Sequence, residues 1–124
     1  MKDQLIPIEA QEQVALFEWA QLQSGKYPEL ALMFAIPNGG SRHIVEAVHL
    51  KAQGVKAGVP DIFLPVARLG YHGLFIELKR SKGGVVSIDQ KLMISALRDQ
   101  SYAVEVCKGW EAAANVIKVY LGAA

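Results

Sequence analysis

The chain alternates helical and extended patterns in a way that predicts an α/β fold, a mixed β-sheet flanked by helices in the order α-β-α-β-β-α-β-α. Two observations carry this. Two strand-like runs, Asp61 to Val66 and Gly73 to Lys79, are joined by so short a connection, around Gly70, that they pair most simply as an antiparallel hairpin. Near the end of the sequence Trp110, Ala113, Ala114, Ile117 and Leu121 recur at helical spacing, which gives a last helix one face to lay on a sheet.

The other elements follow in order. Glu9 to Gln23 is rich in Glu, Gln, Ala and Leu and reads as a helix ending near Ser24-Gly25. Leu30 to Ile36 is a short apolar run halted by Pro37-Asn38-Gly39-Gly40, so a strand running into a tight turn is expected. Ser41 is placed to cap a helix reaching about Gln53, closed by Gly54. After the hairpin, Ser87 to about Asp99 reads as a helix, Tyr102 to Cys107 as a strand, and Trp110 to Leu121 as the final helix.

Composition bounds the function. At 124 residues the expectation is one domain spanning 1–124, and a 52% hydrophobic fraction with 20% charged residues excludes general disorder. A net charge of +1 neither supports nor excludes a nucleic-acid partner. The single cysteine, Cys107, lies in an apolar run and reads as a buried strand thiol rather than a nucleophile. The first residues lack an apolar signal core and no stretch approaches membrane-spanning length, so a soluble, cytoplasmic protein is expected. No P-loop, dinucleotide fingerprint, cysteine-histidine zinc pattern or nucleophile elbow is present.

The chemistry concentrates in Gly73-Leu74-Phe75-Ile76-Glu77-Leu78-Lys79-Arg80. Strand side chains alternate, so Leu74, Ile76 and Leu78 share one face while Glu77 and Lys79 share the other, clear of the core. Alone, such a pair reads as a surface ion pair. Asp61, set at the start of the preceding strand by Gly58-Val59-Pro60, changes this, because a hairpin about Gly70 brings it to the same end as Glu77 and Lys79. Two carboxylates held together favour a hard cation between them, Mg²⁺ or Mn²⁺, and a lysine beside them suits a developing phosphate charge.

Gly58-Val59-Pro60-Asp61, then Glu77-Leu78-Lys79, then Gln90, together with Ile36-Pro37-Asn38-Gly39-Gly40 and Arg42, resemble the signature of the VRR-NUC domains, virus-type replication-repair nucleases of the PD-(D/E)xK superfamily. The resemblance implies a restriction-endonuclease-like core and a metal-dependent endonuclease. It implies that Asp61, Glu77 and the backbone carbonyl of Leu78 bind Mg²⁺ or Mn²⁺, and that Lys79 attends the attacking water. It places Gln90 on the helix after the ExK strand, although Ser87-x-x-Gln90 is also a capping box that explains the glutamine locally. It calls for an acidic residue on the first helix, and Glu9 and Glu12 both fit. Asn38, Arg42 and Arg80 are candidates for contact with DNA. Stand-alone members resemble resolvases of branched DNA such as Holliday junctions, often homodimers, so branched DNA and a second copy are the expected partners. Two other readings stay open: a nucleic-acid-binding protein without catalysis, and a sequence-specific restriction enzyme.

Overall fold

A computed structural model describes residues 5–37 and 44–122 of the chain. Among the described residues four α-helices and four strands appear in the expected order: α1 Glu9–Leu22, β1 Phe34–Ala35, α2 Ile44–Ala52, β2 Ile62–Leu64, β3 Leu74–Lys79, α3 Ile88–Asp99, β4 Ala103–Lys108 and α4 Trp110–Tyr120. The sheet runs β1-β2-β3-β4, with the first two pairings antiparallel and β3-β4 parallel. The mixed sheet is thus an antiparallel hairpin extended by one strand on each side. The hairpin continues past its strands to the bridge Arg68–Tyr71, which closes a two-residue turn in which Leu69 and Gly70 both have positive φ.

One face of the sheet carries Ile62, Leu64, Leu74, Ile76 and Leu78, each at most 1% exposed, beneath α1 and α4. Leu16 and Ala20 of α1 and Ala113, Ala114 and Ile117 of α4 complete that core. On α1 the buried positions are Glu12, Leu16 and Ala20, four residues apart, a narrow line along one side of the helix. The opposite face holds Phe34, Phe63 and Phe75 in cross-strand register, followed along β3 by Glu77 and Lys79. There α3 packs over β4, with Ile94 and Val104 both buried.

The extended run expected from Leu30 to Ile36 forms differently. Pro28 opens a turn of 3-10 helix, Pro28–Leu32, which buries Leu30, and only Phe34–Ala35 is strand. Proline suits a first helical position, and short 3-10 pieces serve as connectors. The strand is short because its partner is: β2 begins at Ile62, and the last bond between them runs from the Ile36 amide to the Asp61 carbonyl at 2.6 Å. Ser41, expected to cap α2, lies outside the described residues. Cys107 is buried at 3% exposure, as a strand thiol should be. Among the described residues no helix is long and apolar enough to cross a membrane.

The Tyr120 hydroxyl donates to the Val66 carbonyl at 2.6 Å inside this core, tying α4 to the far end of the hairpin. Tyr120→Phe removes the donor and leaves a buried acceptor, so urea unfolding is expected to show a loss of about 1–2 kcal/mol. A change within error would mean that the bond adds nothing net to stability.

Candidate active site

The sheet ends in a cavity of about 690 Å³, bounded by the first turns of α1 and α3, the end of β1 and the Gly58-to-Asp61 loop. Asp61, Glu77, Leu78, Gln90 and Glu9 all line it. Each is delivered by a separate local cause. Asp61 follows Pro60 at the mouth of β2, and its Oδ2 accepts a 2.8 Å bond from the Leu78 amide, so the carboxylate is pinned against β3. The amide and carbonyl of one strand residue project toward the same edge, and the Leu78 carbonyl therefore shares the Asp61 side. The Lys79 carbonyl points to the other edge and accepts from Gly109 at 2.8 Å.

Gln90 ties the remaining groups together. Its Oε1 accepts from Lys79 Nζ at 3.0 Å and from the Ser87 amide at 2.8 Å, while its Nε2 donates to Glu77 Oε2 at 3.0 Å. The Ser87 hydroxyl in turn accepts from the Gln90 amide at 3.1 Å, completing the capping box. The two explanations of Gln90 drawn from the sequence are therefore a single arrangement: the side chain that closes the helix start also reaches Glu77 and Lys79. Lys79 Nζ stands 3.5 Å from Glu77 Oε2.

The period-2 pattern expected Glu77 and Lys79 to face an open cleft. The structure buries them, at 1% and 5% exposure. The cover comes from Gln90 and from Gly84, where a Cβ would lie 2.9 Å from the Cβ of Lys79, so only glycine lets the chain close over the lysine stem. A buried carboxylate beside another is expensive to ionise. Burial first, and the neighbouring Asp61 second, push Glu77 from 4.5 up to about 8, with Lys79 opposing them. Glu77 Oε1 is buried and accepts no hydrogen bond from a protein donor, while a carboxyl–carboxyl hydrogen bond with Asp61 adds to the upward push on Glu77.

That oxygen is the observation by which a metal can be judged. Buried acceptors are rarely left unsatisfied, and this one lies with Asp61 in a cavity lined by hard oxygen donors, a set suited to Mg²⁺ or Mn²⁺. The residues fit such an ion through Asp61, Glu77 Oε1 and the Leu78 carbonyl. The fit is with two carboxylates. Among the described residues no group of three or more His, Cys, Asp or Glu is close enough to hold a metal.

The two acids offered by the first helix separate. Glu12 is 6% exposed and its Oε1 accepts from the Trp110 amide at 3.0 Å, so it caps α4 and leaves the site. Glu9 is exposed and lines the cavity. Arg80, a candidate for contact with DNA, is half-buried: its guanidinium donates to the Ile6 carbonyl at 3.4 Å, and its Nε is buried. Asn38 and Arg42 lie outside the described residues.

Sequence reasoning named Gly58 in the motif without its packing role, and passed over a second position. Gly58 has φ +86°, and a Cβ there would fall 2.5 Å from the Asp89 carbonyl oxygen and 3.0 Å from the Gln90 nitrogen. The loop that carries Asp61 thus rests directly on the backbone of the helix that carries Gln90. The second is Gly84, whose signal was the Gly83-Gly84 pair just after the ExK strand.

Comparisons with known proteins bear on the family and the fold. No curated protein matches the chain. A solved structure described as a VRR_NUC domain protein superimposes with a TM-score of 0.81 at 31% identity, covering 96% of this chain and 93% of that one. The VRR-NUC domain family profile matches residues 6–111, a span that takes in Asp61, Glu77, Lys79 and Gln90 as well as α1 and α3. With fold, motif order and family profile in agreement over most of its length, the chain belongs to the VRR-NUC domain family of nucleases.

Proposed function

We propose that the protein is a Mg²⁺- or Mn²⁺-dependent DNA endonuclease that acts on branched DNA as a homodimer. The observation that carries the metal-dependent reading is Glu77 Oε1, a buried carboxylate oxygen that accepts from no protein donor, beside Asp61 and backed by a lysine. Asp61 and Glu77 would hold the cation, with the Leu78 carbonyl. When bound, such an ion supplies Lewis acidity toward the phosphate and a nucleophile from water at neutral pH. The chain's own residues do the rest. Lys79, behind the cavity lining and 3.0 Å from Gln90 Oε1, would act through its field on the charge that builds on the phosphate as water attacks phosphorus and the P–O bond to the leaving oxygen breaks. Gln90 holds Lys79 in place and keeps Glu77 Oε2 engaged, and the two helix starts at the cavity present positive dipole ends to an anionic backbone.

The test uses a four-way junction and a linear duplex with the purified chain. Cutting of the junction in Mg²⁺ or Mn²⁺, none in EDTA, and binding with little turnover in Ca²⁺ are expected, since calcium's longer, looser bonds serve in-line attack poorly. Equal rates in Ca²⁺ and Mg²⁺ would contradict the mechanism. Binding without cutting in any metal would favour a silent DNA-binding protein, and cutting only at one sequence would favour a restriction enzyme.

A junction needs two cuts, and a two-fold dimer presents two sites symmetrically. Light scattering at micromolar concentration is therefore expected to give twice the 13.5 kDa chain mass. Paired cuts by a strictly monomeric protein would refute the dimer and leave the nuclease reading intact.

A further inference from the structure

The capping box at the start of α3 does more than begin a helix. A glutamine amide has two orientations, and here only one is satisfied. With Oε1 toward Ser87 and Lys79, the oxygen meets two donors and Nε2 meets a carboxylate oxygen. Turned over, Nε2 would face two donors and Oε1 would face an acceptor, and all three bonds would be lost. Of the three partners, Lys79 and Glu77 are side chains with torsional freedom. The Ser87 N–H is backbone, set by the cap geometry of φ −73° and ψ 168°, which the Ser87 hydroxyl stabilises by accepting from the Gln90 amide.

We propose that Ser87 is a positioning residue of the hydrolytic site: through the capping box it fixes the orientation of the Gln90 amide, which holds Lys79 Nζ and engages Glu77 Oε2, so that Oε1 is the oxygen left for the cation. This rests on the nuclease reading above. A residue that only started the helix would need its hydroxyl and nothing more. What sets this cap apart is that the reciprocal half of the box ends on two groups buried to 95% or more. Ser87 also lines the cavity, and the positioning role requires that its loss reach the site through one side chain, Gln90.

That single route makes the proposal testable by a double-mutant cycle. In Ser87→Ala the hydroxyl is gone and the first turn frays. Junction cleavage in Mg²⁺ is expected to lose about tenfold in kcat with KM nearly unchanged. Ser87→Thr, which keeps the hydroxyl, is expected to recover most of it. In a Gln90→Ala background, Ser87→Ala should cost nothing further, since the route is already cut. An equal loss in both backgrounds, or no loss in the single variant, would overturn the proposal and reduce Ser87 to helix stability. A second readout is independent of cleavage: the Gln90 side-chain amide protons, followed by ¹⁵N–¹H NMR, should move toward free-glutamine positions in Ser87→Ala and return in Ser87→Thr. Unmoved signals would also overturn it. Absence of cleavage by the wild-type protein would instead strike the nuclease reading, and the NMR comparison would still decide the role of Ser87.

Discussion

Glu77→Gln is expected to abolish cleavage and, in EDTA, to raise the melting temperature. The two effects have one cause. Glu77 is 1% exposed, lies beside Asp61, and is pushed up to about 8 by burial and that neighbour. Between pH 4.5 and about 8 the folded protein holds a proton that the unfolded chain has released. Stability of the metal-free protein must then fall as pH rises through this window, because the folded state binds more protons than the unfolded one. The amide removes that dependence. Its oxygen keeps the bond from Gln90, and its nitrogen can face the Asp61 carboxylate. It also removes an anionic ligand, so cleavage should drop by roughly three orders of magnitude, the scale of losing a group that acts on the reacting atoms. Thermal melts of both proteins at pH 5 and pH 8 in EDTA, with a junction-cleavage assay, check each half. A wild-type melting temperature that is flat or rises over that range would refute the account of Glu77, and an active variant would refute its role in the reaction. An isosteric amide is the right variant because alanine would leave a hole in a packed region.

Gly58→Ala is expected to be the most damaging single methyl in the described chain. It combines two penalties: a φ of +86°, and a Cβ 2.5 Å from the Asp89 carbonyl oxygen, which is backbone and cannot swing aside. Together they should cost about 3 kcal/mol or more and lower the melting temperature by about 10 °C. Gly54→Ala is the control. That residue has φ +99° with nothing within 4 Å, so it carries the first penalty without the second. Cleavage should also fall in the Gly58 variant at temperatures where it remains folded, because relieving the clash separates the Asp61 loop from the first turn of α3. Equal destabilisation by the two substitutions would show that the contact with Asp89 carries no weight.

Much of this was legible in the sequence, wherever the signal was local. The hairpin followed from two strand patterns and a short connection, and the α3 cap from Ser87 and Gln90 three residues apart. Asp61, Glu77 and Lys79 could be gathered at one end by topology alone. What the sequence did not show depends on distant parts of the chain. Alternation told which face of β3 holds Glu77 and Lys79, but the lid over that face comes from Gln90 and Gly84. Glu9 and Glu12 have equal claims on a helical wheel, and only the packing of α1 against the start of α4 turns Glu12 to the Trp110 amide. Arg80 was a candidate for contact with DNA, and a carbonyl 74 residues earlier receives it. The run after Pro28 was read by its apolar content, and the proline's preference for opening a helical turn prevailed.

The buried thiol offers a way to time the opening of the molecule. Cys107 is the register partner of Leu78 across the parallel β3-β4 seam, at 3% exposure, and burial with the nearby Glu105 pushes it up to about 11. At neutral pH only about one such thiol in ten thousand is ionised, so alkylating reagents should find it inert in the closed protein. Labelling then requires the core over that face to open, chiefly by α4 lifting from β4, the strand that carries Cys107. The rate of thiol modification becomes a clock for opening of the core beside that strand, readable without substrate or metal.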